Sequence, residues 1–282
     1  MLNSTLRKNT MKKMLLTAAL SVSCLVPAAA EEWGTVTGQF VVTGEIPERE
    51  LMHDPKADIK DKAVCGAVNP FKDDLVIDKD SKGLANVFVY LVKAPKSIHP
   101  DLKNPDPAQL VLDQKGCMFI PHAMVVRTGQ TVEVISSDAI AHNTHTNPIK
   151  NQAMNVVIAP NTVVGKGEIV DYKLGERVPT KVNCDFHPWM ICYWMVVDHP
   201  YAAVTDKDGK FTIANLPAGE HEFRFWHERV GYLDKKLEIG YSGMREGKEA
   251  KLSGVKLTVK AGENEMKLVE IPIDKLKVEA PK

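Results

Sequence analysis

Apolar and polar residues alternate along most of this chain with the two-residue period of a strand that buries one face. The first run is 33–43, Trp-Gly-Thr-Val-Thr-Gly-Gln-Phe-Val-Val-Thr, and the next is 83–92, Gly-Leu-Ala-Asn-Val-Phe-Val-Tyr-Leu-Val. A polar stretch rich in Asp, Lys and Pro fills the space between them to about residue 82, and a linker with Pro95, Pro100, Pro105 and Pro107 follows. Further strands are predicted at 130–137, 192–197, 201–206, 211–213 and 220–226, with Asp206-Lys-Asp-Gly209 and Leu216-Pro217-Ala-Gly219 as the turns of a hairpin region. Residues 241–282 are rich in Lys and Glu, with strand-like Val255–Val259 and Met266–Ile271, and read as an edge hairpin with a solvated face. No helix of any length is predicted. The fold class is therefore all-β.

The start of the chain departs from this pattern. Arg7, Lys8, Lys12 and Lys13 precede an apolar run from Met14 to Val26, and Ala28-Ala29-Ala30 stands before Glu31-Glu32. That is the layout of a signal peptide over residues 1–30, with translation starting at Met1 or Met11. The run is too short for an ordinary membrane span and no later stretch is apolar enough for one, so a soluble periplasmic or secreted protein is expected. The whole chain balances 36 basic against 36 acidic residues, and loss of the four basic residues in the first thirty leaves about −4. A mildly acidic surface does not suit nucleic acid. The roughly 250 residues that remain exceed one small sandwich, so a second domain is expected.

The chemistry concentrates in Cys184-Asp-Phe-His187-Pro-Trp-Met190, which sets a thiolate, an imidazole and a thioether in one loop. A trigonal set of two His and one Cys with a weak axial Met suits mononuclear copper, because it compromises between the preferences of the two oxidation states. The second imidazole can come from Ala141-His142-Asn143-Thr144-His145, which follows the strand at 130–137. Residues 142 and 145 face opposite sides of an extended segment, so both cannot reach one metal without a turn. A closed zinc site of Cys184, His187, Cys192 and either His142 or His145 is the competing arrangement, although zinc gains nothing from the thioether of Met190. The remaining histidines, His53, His99, His122, His199, His221 and His227, lack a ligand-like neighbour, except within Trp226-His227-Glu228. Met118, Met124, Met154 and Met195 are scattered and read as core. No acid/base carboxylate pair or nucleophile arrangement is apparent, so the chain is not read as an enzyme.

The Cys-x-x-His-x-x-Met loop after a strand, together with His142-Asn143, Phe119-Ile-Pro121 and Arg127-Thr-Gly129-Gln130, resembles the cupredoxins, the type 1 blue copper proteins, in an amicyanin/plastocyanin-like form. The resemblance covers roughly residues 105–198. It implies a Greek-key β-sandwich holding one copper ion on His142, Cys184, His187 and Met190. It further implies that Asn143 ties the two ligand loops together and that Pro188 withholds a donor from the Cys184 sulfur. His187 would be the ligand nearest solvent, with Phe186 and Trp189 as an apolar collar where electrons enter and leave. The implied function is a single-electron carrier whose partners are dehydrogenases, cytochromes or an oxidase. With Cys184 committed to metal, Cys65 and Cys117 are the disulfide candidates, although pairing of Cys192 with either stays open.

Outside that block, residues 33–43, 83–92 and the hairpin Thr205-Asp206 to Gly219 resemble the carboxypeptidase regulatory-like β-sandwich. That family's pattern is split here. The expected organisation is a split sandwich from residues 31–94 and 200–240, a cupredoxin-like copper domain at 95–199 inserted in one of its loops, and a C-terminal β extension at 241–282, with three sequential units as the simpler alternative. Two other functional classes remain at this level: a secreted binding module whose copper or zinc is structural, and copper sequestration.

Overall fold

The computed structural model describes residues 32–54, 56–66, 71–237 and 254–277. The expected signal peptide and residues 241–253 of the C-terminal extension lie outside them. The described residues begin with β1 (Trp33–Thr43), a one-turn helix α1 (Lys62–Cys65) and β2 (Phe88–Leu91). It continues through β3 (Gln109–Gln114), β4 (Phe119–Ile120), β5 (Ala123–Arg127), β6 (Thr131–Ser136), β7 (His142–Asn147), β8 (Asn155–Ile158), β9 (Glu168–Val170), β10 (Thr180–Asn183) and β11 (Ile191–Val197). The last part holds β12 (Ala202–Val204), β13 (Lys210–Pro217), β14 (Gly219–His227), β15 (Gly231–Tyr232), a second one-turn helix α2 (Leu233–Lys236), β16 (Val255–Val259), β17 (Gly262–Glu265) and β18 (Val269–Pro272). The molecule is all-β, and among the described residues no helix is long and apolar enough to cross a membrane.

Four sheets result, in two facing pairs. In the first pair, β1 runs antiparallel to β13 and parallel to β17 and β18, while β2 lies between β12 and β14. The alternation in β1 points Val36, Phe40 and Val42 inward, where they meet Val89, Leu91, Phe211, Ile213, Phe223 and Phe225. The second pair consists of β5-β11-β10-β7-β8 facing β4-β3-β6-β9. Its core joins Leu112, Phe119, Val126, Val134, Val182, Cys184, Met190 and Trp194. Strand β2 is apolar on both faces because it is buried on both. Its outer face, with Phe88 and Tyr90, packs on Met195 and Val197 of β11, and Tyr193 lies against Trp226 at 4.9 Å between ring centres.

Two expectations need correction. Residues 255–271 do not form an edge hairpin, because β16 pairs with β14 whereas β17 and β18 pair with β1. Val259, Ile271 and Leu276 are buried there, so this part of the extension closes the first core rather than decorating its edge. The polar stretch between β1 and β2 also does not belong wholly to the first sandwich. A disulfide joins Cys65 to Cys117, and Ile59, Val64 and Cys65 pack into the second core.

Candidate metal centre

Strands β7 and β10 are antiparallel neighbours, with Asn183 opposite His145 and Val182 opposite Thr146. The pairing brings the first residue of β7, His142, beside the loop that leaves β10 at Cys184. The loop turns back into β11 through hydrogen bonds from the Cys184 N–H to the Met190 carbonyl at 3.1 Å and from the Met190 N–H to the His187 carbonyl at 2.9 Å. Met190 is thus held beside Cys184, and both are buried in the same core.

The donor atoms of His142, Cys184 and His187 all lie within 4.8 Å of one another. The two Nδ1 atoms are 3.0 Å apart, and Nδ1 of His187 is 3.7 Å from the Cys184 sulfur. Each imidazole is held from behind by a carboxylate. Asp138 Oδ2 lies 2.8 Å from Nε2 of His142, and Asp61 Oδ2 lies 2.9 Å from Nε2 of His187. Asp138 is itself fixed by the N–H groups of Gly116 and Cys117, at 2.6 and 2.8 Å. Asp61 sits at φ +55°, a left-handed conformation that Asp tolerates better than most residues, with its carbonyl accepting the N–H groups of Val64 and Cys65.

Counting protons shows what this arrangement suits. The chain Asp61–His187–His142–Asp138 contains three short contacts, but two neutral imidazoles carry only two protons between them. With both protons on the Nε2 atoms facing the carboxylates, two Nδ1 lone pairs confront each other across 3.0 Å beside a sulfur. A cation between them removes the conflict, and carboxylate-oriented imidazoles are the usual backing of metal-binding histidines. Burial lowers the pKa of His187, and the hydrogen bond its Nε2–H donates to Asp61 opposes that shift. Two nitrogens, a thiolate and a nearby thioether therefore fit copper in composition.

The surrounding residues divide clearly. Asn143 donates its N–H to the Cys184 sulfur at 3.4 Å, accepts the Asp185 N–H at 2.5 Å, and donates its amide to Asn155 at 2.7 Å, linking the two ligand loops. Pro188 lies in the loop without an N–H to offer. His145 turns away to Asp185 at 3.2 Å and is about one-third exposed. Cys192 is fully buried opposite Val182 in the ladder, outside the donor group, and burial pushes its thiol pKa well up. A second group, Cys117, Asp138 and His142, is close enough for a metal, but the Cys117 sulfur is committed to the disulfide.

The expectation that His187 is the ligand nearest solvent is not met, because its side chain is 0% exposed. The segment before α1 covers it. Asp61 bonds to its outer nitrogen, Lys60 lies over the Phe186 ring at 4.3 Å, and His53 meets Trp189 at 5.7 Å between ring centres. Phe186 and Trp189 are half-buried under this cover and form no open collar.

The sequence alone does not single out Asp61 or Asp138. Asp138, four residues before His142, carries a faint local signal; Asp61 is 126 residues from its partner and carries none. Of Trp226-His227-Glu228, the Trp packs on Tyr193, the His is buried, and the Glu reaches His122.

No family model matches the chain, and no curated protein matches it. Among solved structures, a copper-containing nitrite reductase from Thermus scotoductus SA-01 aligns at 16% identity and a TM-score of 0.28, over 37% of this chain and 25% of that one. This chain thus spans about a quarter of that protein's length. A mutant of amicyanin in its oxidized state aligns at 18% identity and a TM-score of 0.28, over 33% of this chain and 86% of that one. A second amicyanin mutant, in its reduced state, aligns at the same identity and score over 39% of this chain and 98% of that one.

Proposed function

We propose that this chain is an exported type 1 copper protein that acts as a single-electron carrier between periplasmic redox partners. The observation that carries the reading is the pair of facing Nδ1 atoms, each imidazole backed by a carboxylate, beside the Cys184 sulfur. Copper supplies a one-electron couple in such a donor set. His142, Cys184 and His187 would hold it, with the Met190 thioether as a weaker fourth donor.

The protein's own residues contribute rigidity. Asp138 and Asp61 fix the two rings, Asn143 locks one ligand loop to the other, and the covering segment keeps water from the donors. A site that changes little between oxidation states exchanges electrons quickly. Burial of the donors suits electron transfer, which needs no direct contact between the ion and a partner. The first sandwich, built from β1, β2, β12–β14 and β16–β18, is read as carboxypeptidase regulatory-like and as the carrier of the copper domain, with the segment between β1 and β2 helping to cover the site.

Protein loaded with copper is expected to show an intense sulfur-to-copper band in visible light, lost in Cys184→Ser, together with reversible voltammetry. Purified protein that holds zinc and stays colourless with Cu(II) would instead favour a structural metal in a binding module.

A further inference from the structure

The donors of His142, Cys184 and His187 are buried, so an ion must reach them through the packing. Asp61 closes the His187 edge. Along the Met190 side, however, a cavity of about 480 Å³ includes Trp189 and Met190 in its wall. Two further thioethers, Met52 and Met118, and the imidazole of His122 line the same space.

Those three residues come from separate parts of the fold. Met52 belongs to the segment before α1, Met118 to the β3–β4 turn, and His122 to the short connection from β4 to β5. Their sequence spacing carries no motif. Glu228 hydrogen-bonds Nε2 of His122, which leaves Nδ1 as the ring's other donor atom. Glu228 thus holds this imidazole as Asp138 and Asp61 hold those of His142 and His187. Burial disfavours a charge on His122, but the hydrogen bond and charge of Glu228, with Asp73 and Asp74, which line the same cavity, outweigh burial and raise its pKa.

The geometry points to this cavity as a second metal site, a loading site that takes the soft monovalent ion Cu(I) on Met52, Met118 and His122 and leads to Met190. Neutral thioethers select Cu(I) over zinc or hard divalent ions, and an unbranched Met side chain can swing to bring its sulfur to an ion. Passage inward is ligand exchange. Met190, the two Nδ1 atoms and the Cys184 sulfur, whose thiol proton leaves to water, replace Met52, Met118 and His122, with no change of oxidation state. The loading role rests on the copper reading of the buried centre, whereas the existence of the cavity site does not.

Ag(I), a soft monovalent ion that does not change oxidation state, provides the probe. The wild-type chain should bind two equivalents, one giving an ultraviolet thiolate band that Cys184→Ser abolishes. Met52→Leu/Met118→Leu, which nearly conserves side-chain volume, should keep the thiolate band and lose the other equivalent. In methyl-labelled protein, the Met52 and Met118 signals should shift with that equivalent alone. A single equivalent in the wild type, or two in the double Leu variant, would overturn the cavity site. Failure of the copper reading would appear separately, as a wild-type protein without the visible band.

Discussion

At the scale of single residues, the centre depends on two carboxylates as much as on its donors. Removing the charge of Asp138 or Asp61 leaves each imidazole in place but no longer fixes which nitrogen carries the proton. Asp138→Asn and Asp61→Asn are each expected to weaken copper binding by about 10–100-fold, measured by competition with a chelator. Asp138→Asn should cost more, because Asp138 also accepts from Gly116 and Cys117, while Asp61 is about one-third exposed. His145→Ala serves as the contrast, since that ring pairs with exposed Asp185, and affinity should stay as in the wild type. An equal loss in all three variants would argue against an orienting role for the carboxylates. Much of the donor group was legible in the sequence, because Cys184, His187 and Met190 share one loop and chemistry alone relates them. Asp61 was not legible, since only the folded chain brings a residue that far upstream onto the ring of His187.

At the scale of elements, alternation located the strands well but not their partners. β1 shows why: its period places Val36, Phe40 and Val42 inward equally well whether its neighbour is antiparallel β13 or parallel β18. β17, with the sequence Gly-Glu-Asn-Glu, has no apolar pattern and is held by main-chain pairing to β1, so no sequence signal marked it. The hairpin turn before β13 was legible from Asp206-Lys-Asp-Gly209, and its close fit to β1 is a structural finding. Gly209 has φ +72°, and a Cβ there would stand 2.1 Å from the Phe40 carbonyl oxygen. Gly219 has φ +138° with nothing within 4 Å of its Cβ position. Gly209→Ala must therefore push two backbones apart, on top of roughly 1–2 kcal/mol for the left-handed conformation. It should lower the urea midpoint clearly more than Gly219→Ala. Equal midpoints would mean that the turn does not press on β1 in solution.

At the scale of the whole molecule, early and late strands build one sandwich, and the segment that covers the centre leaves that sandwich between β1 and β2. β1 takes partners from β13, β17 and β18, and β2 from β12 and β14, so every sheet neighbour of these early strands comes after residue 200. The Cys65–Cys117 disulfide adds a covalent tie to the second sandwich. A strand buried on both faces, as β2 is, cannot remain folded without its neighbours. Limited proteolysis within the proline-rich stretch at 95–108 should accordingly nick the chain without separating it. The piece 33–94 should co-elute with the remainder on gel filtration even after the disulfide is reduced, and should come away only in denaturant. Because that piece carries Asp61, separation without denaturant would also uncover His187, and the visible band of copper-loaded protein should change with it. Release of a folded 33–94 fragment with that band intact would show that the early strands stand alone and that the cover over His187 is dispensable.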